Sequence, residues 1–270
     1  MSINSINTNT ASMFTQNQMV QNSSASARTS QQLASGQRIN SAADDAAGLA
    51  IGTGLNTQLR GMEQAIRNTN DGISMLQVAG GSLTEGTNIL QRMRELTLQS
   101  ANGTLNDRDR GAIDKEYNQL LDQLNDIQQN TSFNGRNLFS DSDNTIGLQV
   151  GENAGDQLEI SFGGLSVASL NAADTDPASR LSAIDNALGS LTDAQANIGA
   201  ATNRLESTAR NLGNNLVSSA QAYSRTMDTD YAAAISERSQ QQIRDQVQVA
   251  MMAQANAQPK QVLRLLGIAQ

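Results

Sequence analysis

Side chains able to do chemistry are scarce in this sequence. The 270-residue chain has no His and no Cys, so the commonest general base, the commonest transition-metal ligand and the thiolate nucleophile are missing. H-E-x-x-H metal sites and Ser-His-Asp triads are excluded with them. Carboxylates and cations remain. Asp44-Asp45 is an adjacent acidic pair, the residue types of a carboxylate dyad or a cation site. It stands just ahead of an apolar-periodic stretch, however, where a helix dipole favours anions, and a helix start accounts for it. "NDRDR", Asn106 to Arg110, has the same explanation. There is no G-x-x-x-x-G-K-[ST] phosphate loop, and Gly80-Gly81 lies inside a helical pattern and not after a strand. The expectation is a protein that is not an enzyme and uses no cofactor or metal.

One cluster has the make-up of a recognition surface. "QRMREL", Gln91 to Leu96, closes a long helical pattern, where basic residues complement the dipole. Arg92 and Leu96 are four apart and share one face. An Arg beside an apolar side chain on an exposed ridge is the composition of a binding hot spot.

The elements that must carry these residues follow from composition and period. Aromatic residues are 3% of the chain, with no Trp, and hydrophobic residues 38%. That suits thin apolar stripes between long helices better than one large globular core. Heptad spacing runs through Leu59, Met62, Ile66, Thr69, Ile73, Leu76, Gly80, Leu83, Thr87 and Leu90. A second helix carries Ile113, Tyr117, Leu120, Leu121, Leu124 and Ile127; a third carries Leu181, Ile184, Leu188, Leu191, Ile198, Leu205, Ala209, Leu212 and Leu216. These repeats predict a mainly α protein, a long antiparallel helical bundle with coiled-coil packing. At about 1.5 Å per residue the longest helices would reach roughly 60 Å, giving a rod. Starts are marked by S-x-x-D at Ser41 and Asp44, by Asn106 with Asp109, and by Asp176-Pro177. Alternation at Ile146, Leu148 and Val150, then at Leu158, Ile160 and Phe162, predicts a small β-hairpin around "GENAGD". "FNG", Phe133 to Gly135, predicts a turn. A loop is expected from Gly163 to Asp176.

The two ends differ from the middle. Between Met1 and Ala43 only Arg28 and Arg38 are charged; between Gln246 and Gln270 only Lys260 and Arg264. Met13, Val20, Ala27 and Ala34 recur every seven residues, and Ile243, Val247, Ala250 and Met251 follow a helix period. The N-terminal stripe is too thin to hold a helix alone in water. Both ends are expected to be disordered in the monomer and to fold on contact with something. The densest apolar run is terminal: Val262, Leu263, Leu265, Leu266 and Ile268, and such a run needs cover from the chain's own core or from another molecule. A net charge of −8 argues against nucleic acid or an anionic membrane as main ligand. No apolar run is long enough to span a membrane. The first basic residue is Arg28, so no secretory signal is read.

"LASGQRINSAADDAAGLAI" (Leu33 to Ile51), "QRMRELTLQSANGT" (Gln91 to Thr104), "TSFNGRNL" (Thr131 to Leu138) and "ANAQPKQVLRLL" (Ala255 to Leu266) together resemble bacterial flagellin, in order and along essentially the whole chain. The resemblance implies paired N- and C-terminal helices forming a filament-core domain, D0, from residues 1–42 and 227–270. It implies an adjoining domain, D1, from 43–176 with two long helices, the β-hairpin and a short loop in place of outer domains, and from 177–226 with its C-terminal helix. The function so implied is that of a structural subunit polymerising into the flagellar filament for swimming. It would be extracellular and exported by the flagellar type III route without a cleaved signal peptide. The polymerisation core would comprise Ile6, Met13, Val20, Ile243, Val247, Met251, Val262, Leu263, Leu265 and Leu266. Implied partners are further copies in a helical homopolymer, an export chaperone at the C-terminus, and filament cap and hook-associated proteins. A flagellin-sensing Toll-like receptor would face the ridge of Gln91, Arg92 and Leu96 with Glu116. Ala43 departs from the family's frequent Lys at that position, and the Gly267 to Gln270 tail has no assigned role. A hook–filament junction protein and a secreted coiled-coil adhesin or receptor ligand are the alternatives; self-assembly separates them.

Overall fold

The computed structural model describes residues 8–139, 145–163, 170 and 176–265. In chain order they form α1 (Thr10–Ser35), α2 (Ala46–Ser100), α3 (Asp107–Asn130), β1 (Ser132–Phe133), β2 (Arg136–Asn137), β3 (Thr145–Gln149), β4 (Gln157–Ser161), α4 (Pro177–Met227) and α5 (Tyr231–Leu265). The mainly α class with a small β-hairpin and paired terminal helices is what the sequence predicts. The chain divides into two compact units, Met1–Thr57 with Ser219–Gln270, and Gln58–Ser218. These divisions fall inside α2 and α4, whereas helix continuity breaks at residues 36–45 and 228–230.

In the unit Gln58–Ser218 the long helices pack through coiled-coil seams. On α2 one seam is Met62, Thr69, Leu76, Leu83, Leu90 and Thr97, all buried, as the heptads predict. The second seam runs Ala65, Gly72, Ala79, Gly86, Met93 and Ser100, one residue away from the predicted Ile66, Ile73, Gly80 and Thr87, which are only half-buried. Small residues occupy it because neighbouring side chains come close: a Cβ on Gly72 would lie 2.4 Å from Leu148 Cδ1 and 3.2 Å from Leu205 Cδ1. On α4 a large seam of Ile184, Leu191, Ile198, Leu205 and Leu212 is buried, with Ala187 and Ala194 on a small one. Ile113, Tyr117, Leu121 and Leu124 of α3 complete this core.

Both hairpins form. β3 and β4 pair antiparallel with Ile146 opposite Ile160 and Leu148 opposite Leu158, so one apolar face closes on the helices. Phe139 and Phe162 meet edge to face at 6.5 Å. At "FNG", Asn134 and Gly135 take φ of 50° and 78°, a primed turn joining β1 to β2. Helix starts at Asn106 and Asp176 are as predicted: Asn106 Oδ1 accepts from the Asp109 N–H at 2.9 Å, and Asp176 Oδ2 from Ser179 N–H at 3.1 Å. The third start is corrected. Asp45, not Ser41, caps α2, accepting the Gly48 N–H at 2.8 Å. Asp44 reaches back to the Ser41 N–H at 3.0 Å and closes the turn ahead of the helix.

The expectation that both ends are disordered in the monomer is corrected: each is helical in the single chain because each finds its partner in the other. Thr10–Ser35 and Tyr231–Leu265 are both helical, and they pack against each other.

Candidate functional site

With no cluster of three or more His, Cys, Asp or Glu suited to a metal among the described residues, the surfaces to consider are two: the faces of α1 and α5, and the Arg92 ridge.

The α1–α5 pair is antiparallel. Asn9 Nδ2 donates to the Ala255 carbonyl at 2.8 Å, and Asn22 Nδ2 to the Gln241 carbonyl at 2.9 Å and to Asp245 Oδ1 at 2.6 Å. Gln241 Nε2 donates to Thr29 Oγ1 at 3.1 Å, and that hydroxyl donates to the Ala25 carbonyl. The inward stripe of α1 is Ser12, Thr15, Met19, Asn22, Ser26, Thr29 and Leu33, and that of α5 is Ala234, Gln241, Asp245, Gln248, Met252 and Ala255. Both keep a seven-residue repeat, but apart from Met19, Leu33 and Met252 the residues are polar or small. Asn22 and Gln241 are 7% and 2% exposed.

The apolar stripes read from the sequence point the other way. Val20 is 63% exposed and Ile243 60%, and Met13, Phe14, Val247, Val249 and Met251 are exposed by more than half as well. Ala27 and Ala34 are also exposed. A period alone cannot say which stripe turns inward; here the hydrogen bonds of Asn22, Thr29 and Gln241 orient the pair. Ile6 and Leu266 lie outside the described residues, as do the side chains of Val262, Leu263 and Leu265.

The joint beside this pair is held by short polar contacts. Gly36 caps α1 at φ 72°, its N–H bonded to the Gln32 carbonyl, and a Cβ there would meet Tyr231 Oη at 3.0 Å. Arg38 N–H donates to the Met227 carbonyl at 2.7 Å, and Thr229 N–H to the Gly36 carbonyl at 3.0 Å. Gln37 and Asp228 form an isolated antiparallel bridge. Asp44 pairs with Arg28 at 2.9 Å. Hydrogen bonds from the Asn40 N–H, then from Ser41, with the Arg28 charge adding to them, hold its carboxyl below the usual range.

On the ridge, Arg92 and Glu116 come together at 2.8 Å, and Glu95 joins them at 3.1 Å. Hydrogen bonding to Glu116 first, then to Glu95, raises the Arg92 pKa. Gln91, Arg92 and Glu116 are exposed. Leu96 is not: it is 2% exposed, beside the buried Met93 and Thr97. The expected Arg–apolar ridge is corrected to a charged patch, because Leu96 falls on the packed side of α2. Two contacts near it escape sequence reading. Arg94 pairs with Asp185 at 2.9 Å. Arg180, 4% exposed, reaches Asp114 at 2.6 Å and lies 4.5 Å over the Tyr117 ring. An Arg in the first turn of a helix gives no hint of burial.

The end pair thus leaves large apolar side chains exposed on its outer faces. Comparison with known proteins supplies the family. The model of the bacterial flagellin N-terminal helical region matches residues 6–144, and that of the C-terminal helical region matches residues 181–266. The flagellin of Halalkalibacterium halodurans is 39% identical over 97% of this chain and 99% of its own, and that of Bacillus subtilis 37% over the same shares. The crystal structure of Bacillus cereus flagellin aligns at 32% identity and a TM-score of 0.49, covering 54% of this chain and 88% of that one. The chain belongs to the bacterial flagellin family. It is a structural subunit of a flagellar filament.

Proposed function

We propose that copies of this chain polymerise through the outward apolar faces of α1 and α5, with Met13, Val20, Ile243, Val247 and Met251 buried at contacts between subunits. What carries this is the orientation of the end pair: most of its large apolar side chains are exposed, while its own seam sets the buried Asn22, Thr29 and Gln241 beside Met19, Leu33 and Met252. Singly exposed apolar residues are ordinary on protein surfaces. A whole stripe on each of two paired helices is a contact surface awaiting cover. A head-to-tail contact that does not close produces an open helical filament. The charge-poor ends suit its interior, and the flagellin relatives support a polymer outside the cell, in the flagellum. Ile6, Val262, Leu263, Leu265 and Leu266 extend the same core on sequence grounds, in a D0 domain of residues 1–42 and 227–270.

Family membership supports, as part of the same proposal, a set of finer partners. An export chaperone holds the C-terminal apolar run before type III export, and cap and hook-associated proteins bound the filament. The ridge of Gln91, Arg92 and Glu116 faces a flagellin-sensing Toll-like receptor, with Leu96 supporting it from beneath.

Seeded self-assembly of the purified chain, followed by light scattering and negative-stain electron microscopy, tests the central proposal. Wild type forms long uniform filaments. Val20→Asp with Ile243→Asp keeps its helical circular dichroism and fails to elongate, as does a chain lacking Gln258 to Gln270. Normal filaments from the doubly charged variant would overturn the assignment of these faces.

A further inference from the structure

Of the nine methionines, Met1 lies outside the described residues and the other eight divide by environment. Met62, Met75, Met93 and Met227 are buried, where a thioether fills gaps between packed side chains. Met19 and Met252 are half-buried in the seam between α1 and α5. Met13 and Met251 stand apart at 61% and 57% exposure. Each sits on its helix's outward apolar stripe: Met13 is seven residues before Val20, and Met251 is four after Val247 and eight after Ile243.

We propose that Met13 and Met251 are sites of reversible oxidation that gate assembly: hydrogen peroxide converts them to sulfoxides in the free subunit and blocks polymerisation, while the assembled filament shields them. This rests on the outward faces being the polymer contact. In the step, a sulfur lone pair attacks one peroxide oxygen and an S–O bond forms as the O–O bond breaks. The thioether loses two electrons; the peroxide is reduced to water, keeping both of its protons. Neither Cys nor His is present to compete for the oxidant, so exposed thioethers are the residues the oxidant meets first. A sulfoxide is a polar, chiral acceptor in place of an apolar chain, and it disrupts methionine-bearing interfaces. Burying it without a donor weakens each contact by roughly tenfold or more.

The test uses the full-length chain and dilute hydrogen peroxide. Peptide mass spectrometry of treated monomer finds Met13 and Met251 as sulfoxides before Met62, Met75 and Met93. Seeded elongation, read by light scattering, falls by about tenfold or more. Methionine sulfoxide reductase restores it, and the Met13→Leu/Met251→Leu variant, whatever its untreated rate, loses none of that rate after the same peroxide treatment. Preformed filaments take up oxygen at these two residues far more slowly than monomer. Oxidised wild type elongating at the untreated rate, or no recovery with reductase, would overturn the proposal and leave the polymer contact standing. So would equal sensitivity of the Leu variant. Should that variant fail to elongate untreated, the reductase arm decides. Untreated wild type that never elongates would overturn both the gate and the contact on which it rests.

Discussion

Two helix pairings in this chain use the same seven-residue repeat in opposite ways. In the unit Gln58–Ser218, Leu76, Leu83 and Leu90 face inward with Ile184, Leu191 and Leu205, and the ion pairs Arg92–Glu116 and Arg94–Asp185 lie at the surface. In the end pair, Asn22, Thr29 and Gln241 face inward, and Val20, Ile243 and Val247 face out. The first unit buries its apolar area alone and so carries its own stability. The second leaves that area exposed and holds its alignment with hydrogen bonds, whose net worth is small but whose geometry is specific. A subunit that must be stable when free and adhesive when assembled needs both arrangements. On the proposed assembly, the exposed apolar area of the end pair contributes its hydrophobic free energy to the contact between subunits and little of it to the fold.

The widest separation between the two regions comes from truncating one apolar residue in each. Leu83→Ala removes a buried seam residue of α2 and costs about 2–5 kcal/mol in the stability of its unit, read by denaturant unfolding. Val247→Ala, at an outward position of α5, changes monomer stability by less than about 0.5 kcal/mol and raises the critical concentration for assembly. Equal effects on monomer stability would erase the distinction. The buried cation gives a smaller effect within the first unit. Asp114→Asn leaves Arg180 without its carboxylate, and since Asp114 is partly exposed the cost is about 2 kcal/mol, below that of a fully buried pair. In the end pair, Asn22→Ala removes the donor to Gln241 and Asp245 and costs about 1 kcal/mol. Hydrogen exchange of α1 and α5 reports it, and exchange within residues 58–218 is unchanged.

The same contrast explains what the sequence discloses. Where apolar residues are large and continuous, as at Met62 to Leu90, period and burial coincide, and α2, α3, α4 and the β3–β4 hairpin are legible. The second seam is not, because Gly72, Ala79 and Gly86 look like spacers. Their function is to let Leu148 and Leu205 approach, and that depends on the other element. In the end pair the period is legible but its facing is not. Narrow stripes of either kind fit a helix–helix contact, and the hydrogen bonds that select the polar one join residues more than 200 positions apart. Leu96 fails as a ridge residue for a related reason. It is four from Arg92, yet a long Arg side chain reaches solvent from a position where Leu remains packed. Assignments that required only local chemistry, the caps at Asn106 and Asp176 and the turn at Phe133 to Gly135, are correct.

Acid should produce the smallest separation, and it concerns the carboxylates at two helix starts. Asp44 Oδ2 accepts from the Asn40 N–H at 3.1 Å, the Ser41 N–H at 3.0 Å and the Ser41 hydroxyl at 3.1 Å, while Oδ1 pairs with Arg28 of α1 at 2.9 Å. Asp176 accepts from the Ser179 hydroxyl and N–H, the hydroxyl being the larger cause of its lowered pKa. Both carboxyls thus have a folded pKa below the unfolded value of about 3.9. A depressed pKa means that the unfolded state binds the proton more readily. Its stabilisation is present above about pH 4 and is lost as pH falls through the folded pKa. The consequences differ because the partners differ. Protonating Asp176 loosens one turn of α4, whereas protonating Asp44 also releases α1 through Arg28. Hydrogen exchange corrected for its intrinsic pH dependence should therefore rise in acid at residues 36–45 and along α1, and at the start of α4 only locally. Asp44→Asn should already show the acid pattern of α1 at neutral pH and lose its further dependence on pH. If acid instead opened the start of α4 as widely as α1, the joint would not be the acid-sensitive end of the free subunit.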